Sequence, residues 1–279
     1  MADKNEKKYE YVYSSSEVSK YYGLTVKGME YYEKCGLVIP ERAGQSKVRR
    51  YSLLDNYRLY FSRLYKNAGF SIQQTVNMLE NNTAEHLGEA FDKRIDEIRR
   101  DILIKERTAE ELEYMRRMMC LAGEEPFFEI VEEEGFYRLF VRQFSGPHRS
   151  SHEETREYKT WNDYLPLTNA SLRFPLEDCQ SDSEAADTEI GLIVREKDFN
   201  VLGLCVSGRT RHIPAGRFLH TLLCGEALTL SSKARLKPAL EYMQAHGLRQ
   251  TGDAFTRMIT LLQYPDGDIR CDEAWFPVE

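Results

Sequence analysis

The stretch LTVKGMEYYEKCGLVIPERAGQSKVRRY, Leu24 to Tyr51, predicts a short helix followed by a β-hairpin. Thr25 supplies a hydroxyl that can cap the first turn of the helix, and Gly36 supplies the residue that ends it. Pro40 prevents the helix from continuing. Residues 43–46, with the sequence AGQS, are turn formers between two short extended arms, so they predict the tip of a wing.

A second short helix is predicted immediately before this stretch. Ser14 and Glu17 form a capping box, and Gly23 ends the helix that follows it. Ser71 and Gln74 form another capping box for a later helix. Two short helices that are joined by a tight turn and followed by a hairpin make a winged helix-turn-helix. The second helix of this motif typically lies in the major groove of DNA.

Basic residues are concentrated at this end of the chain, although the 279 residues together carry a net charge of −7. Residues 1–66 contain 13 Lys and Arg against 8 Asp and Glu, residues 67–125 contain 8 against 13, and residues 126–279 contain 17 against 24. A basic segment on an acidic chain predicts a local surface for a polyanion, with an unselected charge fluctuation as the alternative. Lys27 and Tyr31 lie one helical turn apart, and their side chains suit phosphate oxygens.

The composition is that of a soluble globular protein, with 42% hydrophobic and 30% charged residues. We expect a cytoplasmic protein without a membrane partner, because the chain has no apolar run of about 18 residues and opens with polar residues. The six cysteines are scattered singly, so we expect reduced thiols that mostly pack in the interior. Cys120 has no second cysteine in the following loop, and we therefore predict neither a metal nor another cofactor.

A long helix is predicted over residues 83–120. Nine positions that step alternately by four and three residues, from Phe91 to Met119, are apolar at seven places and contain neither Gly nor Pro. Such a seam is typical of a coiled coil and predicts a homodimer. The alternative is a long helix that packs on its own domain.

Residues 121–126 predict a linker, and residues 127–279 predict a duplicated domain. One half contains GFYRLFVRQFSG (residues 135–146), a helical segment and the strand EIGLIV from Glu189. The other half contains GRFLHTLLCG (residues 216–225), a helical segment and EAWFPV from Glu273. Each half therefore predicts the order strand, helix, strand, strand. A duplicated unit tends to leave a ligand cleft between its copies.

The motifs of the first part of the chain together resemble the DNA-binding domain of the MerR family of transcription regulators. The resemblance covers residues 12–80 and rests on the helix-turn-helix, the paired tyrosines before CGLVIP, the VRRYS of the wing and the later GFS. It implies that Arg49 lies against the DNA backbone or minor groove, while packing in the core is the alternative for Tyr32. Glu30 stands where the family usually has arginine, so we expect an unusual operator. The predicted DNA-binding residues are Lys27, Tyr31, Tyr32, Lys47, Arg49, Arg50 and Tyr51.

The last part of the chain more loosely resembles the GyrI-like effector domain of multidrug-sensing members of that family. The resemblance rests on HIPAGRF, His212 to Phe218, and on the final DEAWFPVE. It implies that Glu273 pairs with a bound cation, and Glu189 occupies the same place in the first half. An arginine of the protein, Arg217 or Arg138, is the alternative partner for these carboxylates. The predicted ligand-binding residues are Glu273, Glu189, Trp161, Tyr164, Phe218, Tyr242 and Trp275, although aromatic residues at these spacings more often belong to the core.

The predicted fold is α+β, with a winged helix-turn-helix domain at residues 10–82, a long dimerisation helix and a duplicated effector domain. The resemblance implies a ligand-responsive transcription activator that distorts double-stranded promoter DNA and so affects RNA polymerase indirectly. We expect its ligand to be small, hydrophobic and preferably a cationic aromatic. The alternative is a hydrolase fused to a DNA-binding head, but no Ser-His-Asp pattern or metal set indicates an enzyme.

Overall fold

The structure is a computed structural model that describes residues 11–42, 48–81, 83–121, 127–144, 151–181, 183–226, 232–265 and 267–279. It divides into two units, one up to Arg99 and one from Arg100 onward. The fold is α+β, as the sequence predicts. Every helix in the described ranges is too short or too polar to span a bilayer.

The first unit is a winged helix-turn-helix. Its elements are β1 (Tyr11–Ser14), α1 (Ser15–Tyr22), α2 (Val26–Lys34), β2 (Glu41–Arg42), β3 (Arg49–Ser52), α3 (Leu53–Asn67) and α4 (Ile72–Glu80). The capping boxes of α1 and α4 and the Thr25 cap of α2 are confirmed. The arms of the wing, β2 and β3, pair antiparallel, whereas the predicted turn at residues 43–46 lies outside the described residues.

One strand of this unit was not predicted. β1 pairs antiparallel with β3, which gives the sheet the order β1-β3-β2. The core beneath it contains Val18, Met29 and Leu59, each at most 2% exposed. This core fixes α2 against the wing, so the two elements that the sequence assigns to DNA form one rigid surface.

Helix α5 (Ala84–Leu121) follows, close to the predicted bounds of the long helix. It contributes residues to both units. Large apolar side chains of the predicted seam are exposed, including Ile95, Ile98, Ile102 and Leu112 at 37–54%. The predicted linker after this helix lies, except for Leu121, outside the described residues.

The second unit is built on one eight-stranded antiparallel sheet with the order β4-β9-β11-β10-β6-β7-β5-β8. Its elements are β4 (Phe128–Glu133), β5 (Phe136–Gln143), α6 (His152–Asn162), β6 (Thr168–Phe174), α7 (Leu176–Gln180), β7 (Glu189–Arg195), α8 (Glu196–Leu202), β8 (Thr210–Ile213), β9 (Gly216–Glu226), α9 (Lys237–Ala245), β10 (Ala254–Tyr264) and β11 (Gly267–Pro277).

The predicted duplication is confirmed by this strand order. β5, α6, β6 and β7 repeat as β9, α9, β10 and β11. The second strands of the two halves, β6 and β10, pair with each other at the centre of the sheet. In each half the last strand lies between the first and the second. The halves are therefore arranged about a pseudo-twofold axis between β6 and β10.

The two faces of the sheet are covered differently. Helices α6, α8 and α9 pack on one face. Trp161 of α6 and Phe199 of α8 belong to one cluster with Leu192 of the sheet, and Met243 of α9 belongs to a second cluster. On the other face Phe136, Phe255 and Trp275 form a central apolar strip. The C-terminal end of α5 packs on this second face through Tyr114 and Met118.

The expectation that all cysteines are reduced thiols is wrong for two of them. Cys224 of β9 and Cys271 of β11 form a disulfide. The strand register places them directly opposite one another, with their Cα atoms 4.1 Å apart. They are 47 residues apart in sequence, so no short spacing identifies the pair.

Candidate nucleic-acid interface and ligand site

Helix α2 presents a cation and a phenol on one exposed face. The Thr25 hydroxyl accepts a hydrogen bond from the Gly28 amide at 3.1 Å, which caps the first turn. Lys27 is exposed in this turn, and Tyr31, one turn later, is 50% exposed. These are the side chains that the sequence assigned to phosphate contacts, and both are accessible.

Two predicted DNA-binding tyrosines instead lie in the core of the domain. Tyr32 is 5% exposed and packs in the same cluster as Met29, which lies one turn earlier on α2. Tyr51 is fully buried and donates a hydrogen bond to the Glu33 carboxylate at 2.7 Å. Burial, together with this hydrogen bond, raises the pKa of Tyr51 to about 12. We therefore correct the role of both residues to packing, because neither side chain is exposed at the surface that would meet DNA.

The wing arginines differ in their surroundings. The Arg49 guanidinium forms ion pairs with Glu33 at 3.2 Å and with Glu30 at 3.7 Å. Arg50, the next residue, is exposed. Lys47 lies outside the described residues. The charge of Arg49 is thus partly neutralised by α2, and Glu30 contributes to this at the position where the resemblance leads us to expect arginine.

In the second unit, Glu273 lies at the centre of a buried hydrogen-bond network. Its carboxylate is fully buried, and the Arg257 guanidinium donates to Oε2 through Nε at 3.0 Å and Nη2 at 2.6 Å. The other oxygen, Oε1, lies 2.7 Å from Nε2 of His220 and accepts a hydrogen bond from the Tyr114 hydroxyl. Both carboxylate oxygens therefore have partners from the protein itself.

A second carboxylate completes this network. Nη1 of Arg257 donates to Glu111 of α5 at 2.7 Å. Burial alone opposes ionisation of Glu273, but Arg257 and His220 outweigh it and lower its pKa to about 2. Burial raises the pKa of Glu111 despite its pair with Arg257, and burial with the nearby Glu273 charge raises the pKa of the Tyr114 phenol. Because Arg257 already neutralises Glu273, the predicted pairing of Glu273 with a ligand cation is corrected to an internal ion pair.

Glu189 occupies the corresponding place in the other half, but its partners are different. It lies opposite Arg173 in the strand register, as Glu273 lies opposite Arg257. Its carboxylate contacts Nη1 of Arg173 at 2.7 Å, Nη1 of Arg138 at 3.1 Å and Nη2 of Arg211 at 3.3 Å. Arg138, one of the two arginines that the sequence analysis named as a partner, is indeed bound here.

The predicted aromatic walls do not meet in one cleft. Trp275 and Phe218 belong to the central strip of the sheet. Trp161 and Tyr164 pack in a cluster on the helical face. Tyr242 stacks on Phe128, with ring centroids 4.4 Å apart, against a third cluster. Their role is corrected to core packing, since large aromatic side chains bury the most apolar area.

The sequence analysis identified Arg138 but did not identify Arg173, Arg257 or Tyr114, which complete these two carboxylate sites. Arg173 and Arg257 follow from the register of neighbouring strands, which no local pattern reveals. A signal was available in the repeat, because aligning the halves on Glu189 and Glu273 also aligns these two arginines. Across the described part of the chain, no group of three or more His, Cys, Asp or Glu is placed to hold a metal ion.

Comparison with known proteins gives matches to the first unit. Residues 13–82 match the family described as MerR HTH family regulatory protein. The chain is 41% identical over 64 residues to a probable heavy metal-dependent transcriptional regulator of Haemophilus influenzae, covering 23% of this chain and 50% of that protein. It is 30% identical over 73 residues to the HTH-type transcriptional activator TipA of Streptomyces coelicolor, covering 26% of this chain and 29% of that protein.

The chain thus spans no more than half of the length of these curated relatives. Among solved structures, the EcmrR chain of an EcmrR-DNA complex in EcmrR-RPo is 17% identical, with a TM-score of 0.37, covering 96% of this chain and 99% of that chain. The family match coincides with the winged helix-turn-helix of the first unit. Residues 13–82 are therefore similar to the helix-turn-helix domain of the MerR family of regulators.

Proposed function

We propose that this protein is a DNA-binding transcription regulator whose head, residues 10–82, contacts promoter DNA. The observation that carries the proposal is the exposure of Lys27 and Tyr31 on α2, and of Arg50 on the wing, in a MerR-type helix-turn-helix. Residues 1–66 carry the basic excess of the chain, which suits the phosphate backbone. Lys47, which lies outside the described residues, remains a predicted supporting charge for DNA.

The proposed regulator acts as a homodimer through α5. Exposed apolar residues in a continuous helical seam are costly in water and are buried when a second helix packs on them. Ile98→Lys combined with Ile102→Lys should give monomers in sedimentation, because two buried charges would face the seam. Glu106→Lys, at an exposed position of the same helix, is the matched control and should remain dimeric. A dimer that survives the double substitution would refute this interface.

Residues 127–279 are proposed as the effector-binding region of a ligand-responsive regulator. The support is the duplicated sheet, whose open face is partly covered by α5. A ligand that changes the contacts between the C-terminal end of α5 and this sheet would also change the position of α5 itself. By analogy with the family resemblance, the response would be promoter distortion, with an indirect effect on RNA polymerase.

The first test is DNA binding by the intact protein. Selection from a random-sequence duplex library should enrich one inverted repeat, and enrichment of no sequence would refute the proposal. Arg50→Ala should lower the slope of log K against log salt by about 0.9 for one lost phosphate contact. Arg49→Ala should lower it less, because Glu33 and Glu30 already pair with that guanidinium. Arg156→Ala, an exposed change on α6, is the control.

A further inference from the structure

A cavity of about 360 Å³ opens in the second unit beside the Glu189 network. Three of its lining residues are Arg138, Arg173 and Arg211, and all three contact the Glu189 carboxylate. The volume lies within the range of about 300–1,000 Å³ that small-molecule sites occupy. The cavity therefore combines a ligand-sized space with a cluster of guanidinium groups.

The cationic groups of this cluster outnumber the anionic ones. Three arginines face two carboxylates, Glu189 and Asp253. Both carboxylate oxygens of Asp253 have partners. Oδ2 pairs with Arg173, and Oδ1 accepts a hydrogen bond from the Leu176 amide at 2.9 Å. Burial, together with the charges of the neighbouring Arg173 and Arg211, lowers the pKa of Arg138 to about 10, although Glu189 acts in the opposite direction. An added anion would relieve this repulsion.

Arg211 is the arginine of this cluster that is best placed to bind an added anion. Its side chain is 52% exposed, and within the described ranges its one ion pair is the 3.3 Å contact to Glu189. A guanidinium carries five N–H donors in a planar fork that matches the two oxygens of a carboxylate. Arg211 thus retains donors for a ligand, whereas Arg138 is 1% exposed and hydrogen-bonded to Ser171 and Glu189.

Part of the remaining wall of the cavity is apolar. It includes Ile213, Pro214 and Pro277, which lie on β8, in the turn after it and at the end of β11. These residues supply carbon surface beside the guanidinium of Arg211. A ligand that fills the cavity would therefore need an apolar body as well as a negative charge.

We infer that this cavity binds a small organic oxyanion with an apolar body, whose carboxylate or phosphate is held by Arg211 and whose body lies against Pro214 and Pro277. This inference deepens the proposed function, on which its role as an effector site depends. It reverses the ligand charge that the resemblance suggests. Positive charge is in excess at this cavity beside Glu189, and the buried Glu273 is already paired with Arg257.

Calorimetry on the intact protein with four naphthalene probes tests the charge. 2-Naphthoate should bind at least tenfold more tightly than the uncharged 2-naphthamide, because hydrogen bonds to a charged acceptor are the stronger ones. 2-Naphthyl phosphate distinguishes the two oxyanion sources: tighter binding than naphthoate favours phosphate, and weaker binding favours carboxylate. Equal binding of acid and amide, or tightest binding of 2-naphthylmethylammonium, would overturn the inference.

A matched pair of arginine variants tests the position. Arg211→Gln should weaken 2-naphthoate binding about tenfold, whereas Arg217→Gln, an exposed change on β9 outside the cavity lining, should leave it unchanged. Arg211→Lys should fall between wild type and Arg211→Gln, since it keeps the charge and loses the fork. Equal affinities of Arg211→Gln and Arg217→Gln would place the acid elsewhere and overturn the inference.

The DNA selection described above separates this inference from the proposed function. DNA enrichment without 2-naphthoate binding would refute the oxyanion site alone. Binding of 2-naphthoate that depends on Arg211, without DNA enrichment, would support the site and refute the regulator.

Discussion

Glu273 and Glu189 hold the same place in the two halves of the second unit and have opposite surroundings. Each lies across from an arginine of the neighbouring strand, Arg257 or Arg173, on the same face of the sheet. Glu273 is fully buried beneath Tyr114 of α5, and its partners Glu111 and Tyr114 line a cavity whose walls are mostly charged. The arginines around Glu189 line a cavity that also has apolar walls. Duplication has therefore preserved the ion pair, and the elements packed around it determine whether the pair is structural or accessible to a ligand.

The charge balance of the two sites differs in the same way. Arg257 lies between two carboxylates, Glu273 and Glu111. Glu189 instead lies among three guanidinium groups. Glu273 is fully buried and both of its oxygens have protein partners, so a ligand does not reach it. The Glu189 site has more guanidinium groups than carboxylates, so we expect it to favour an anion.

The largest effect is expected at the Glu273 site. Glu273→Gln should lower the free energy of unfolding by about 3–5 kcal/mol, because it leaves Arg257 buried with only Glu111 as its ion-pair partner. Urea unfolding measures this loss. Glu129→Gln, at an exposed position of β4, is the matched control and should change stability by less than about 0.5 kcal/mol. Equal small losses in both variants would show that the Glu273 site is not structural.

Acid should destabilise the same site. The pKa of Glu273 is lowered to about 2 in the folded protein from the ordinary value of 4.5. A lowered pKa contributes stability that is present above the unfolded value and lost as pH falls through the folded value, here between about 4.5 and 2. Stability measured across this window should fall more steeply in wild type than in Glu273→Gln. Parallel pH profiles would contradict the assignment of this pKa.

A smaller effect is expected from the helix that closes this site. Tyr114→Phe removes the hydroxyl that donates to Glu273 and should cost about 1–3 kcal/mol, the usual contribution of a hydrogen bond to a charged group. Tyr158→Phe, on α6 and 39% exposed, should be nearly neutral. If the two variants unfold at the same urea concentration, the contact from α5 does not stabilise the sheet.

Local patterns in the sequence predicted much of this fold. The capping boxes at Ser14 and Ser71 involve residues three apart, so they form wherever the backbone turns into a helix. The order of helices and strands in each half could be predicted because the sequence pattern occurs twice. The positions of α2 and the wing follow from the same local signals, and with them the exposure of Lys27.

The contents of the sites could not be predicted in the same way. Tyr114 and Glu273 are 159 residues apart, and their contact depends on how α5 packs on the sheet. The disulfide likewise depends on a long-range feature, the register that places Cys224 of β9 opposite Cys271 of β11. Tyr51 illustrates a different difficulty, because a tyrosine beside two arginines suits both a DNA surface and a core, and its burial depends on the sheet that β1 completes.

Excess positive charge beside Glu189 is what would hold an anion in the cavity, and Asp253→Asn tests this most directly. Asp253 lines the cavity and is 39% exposed, and asparagine keeps the carbonyl that accepts from Leu176 while removing one negative charge. Calorimetry with 2-naphthoate should show binding about threefold tighter than in wild type, with Asp268→Asn, at an exposed position of β11, unchanged. Unchanged or weaker binding of 2-naphthoate by Asp253→Asn would contradict the account.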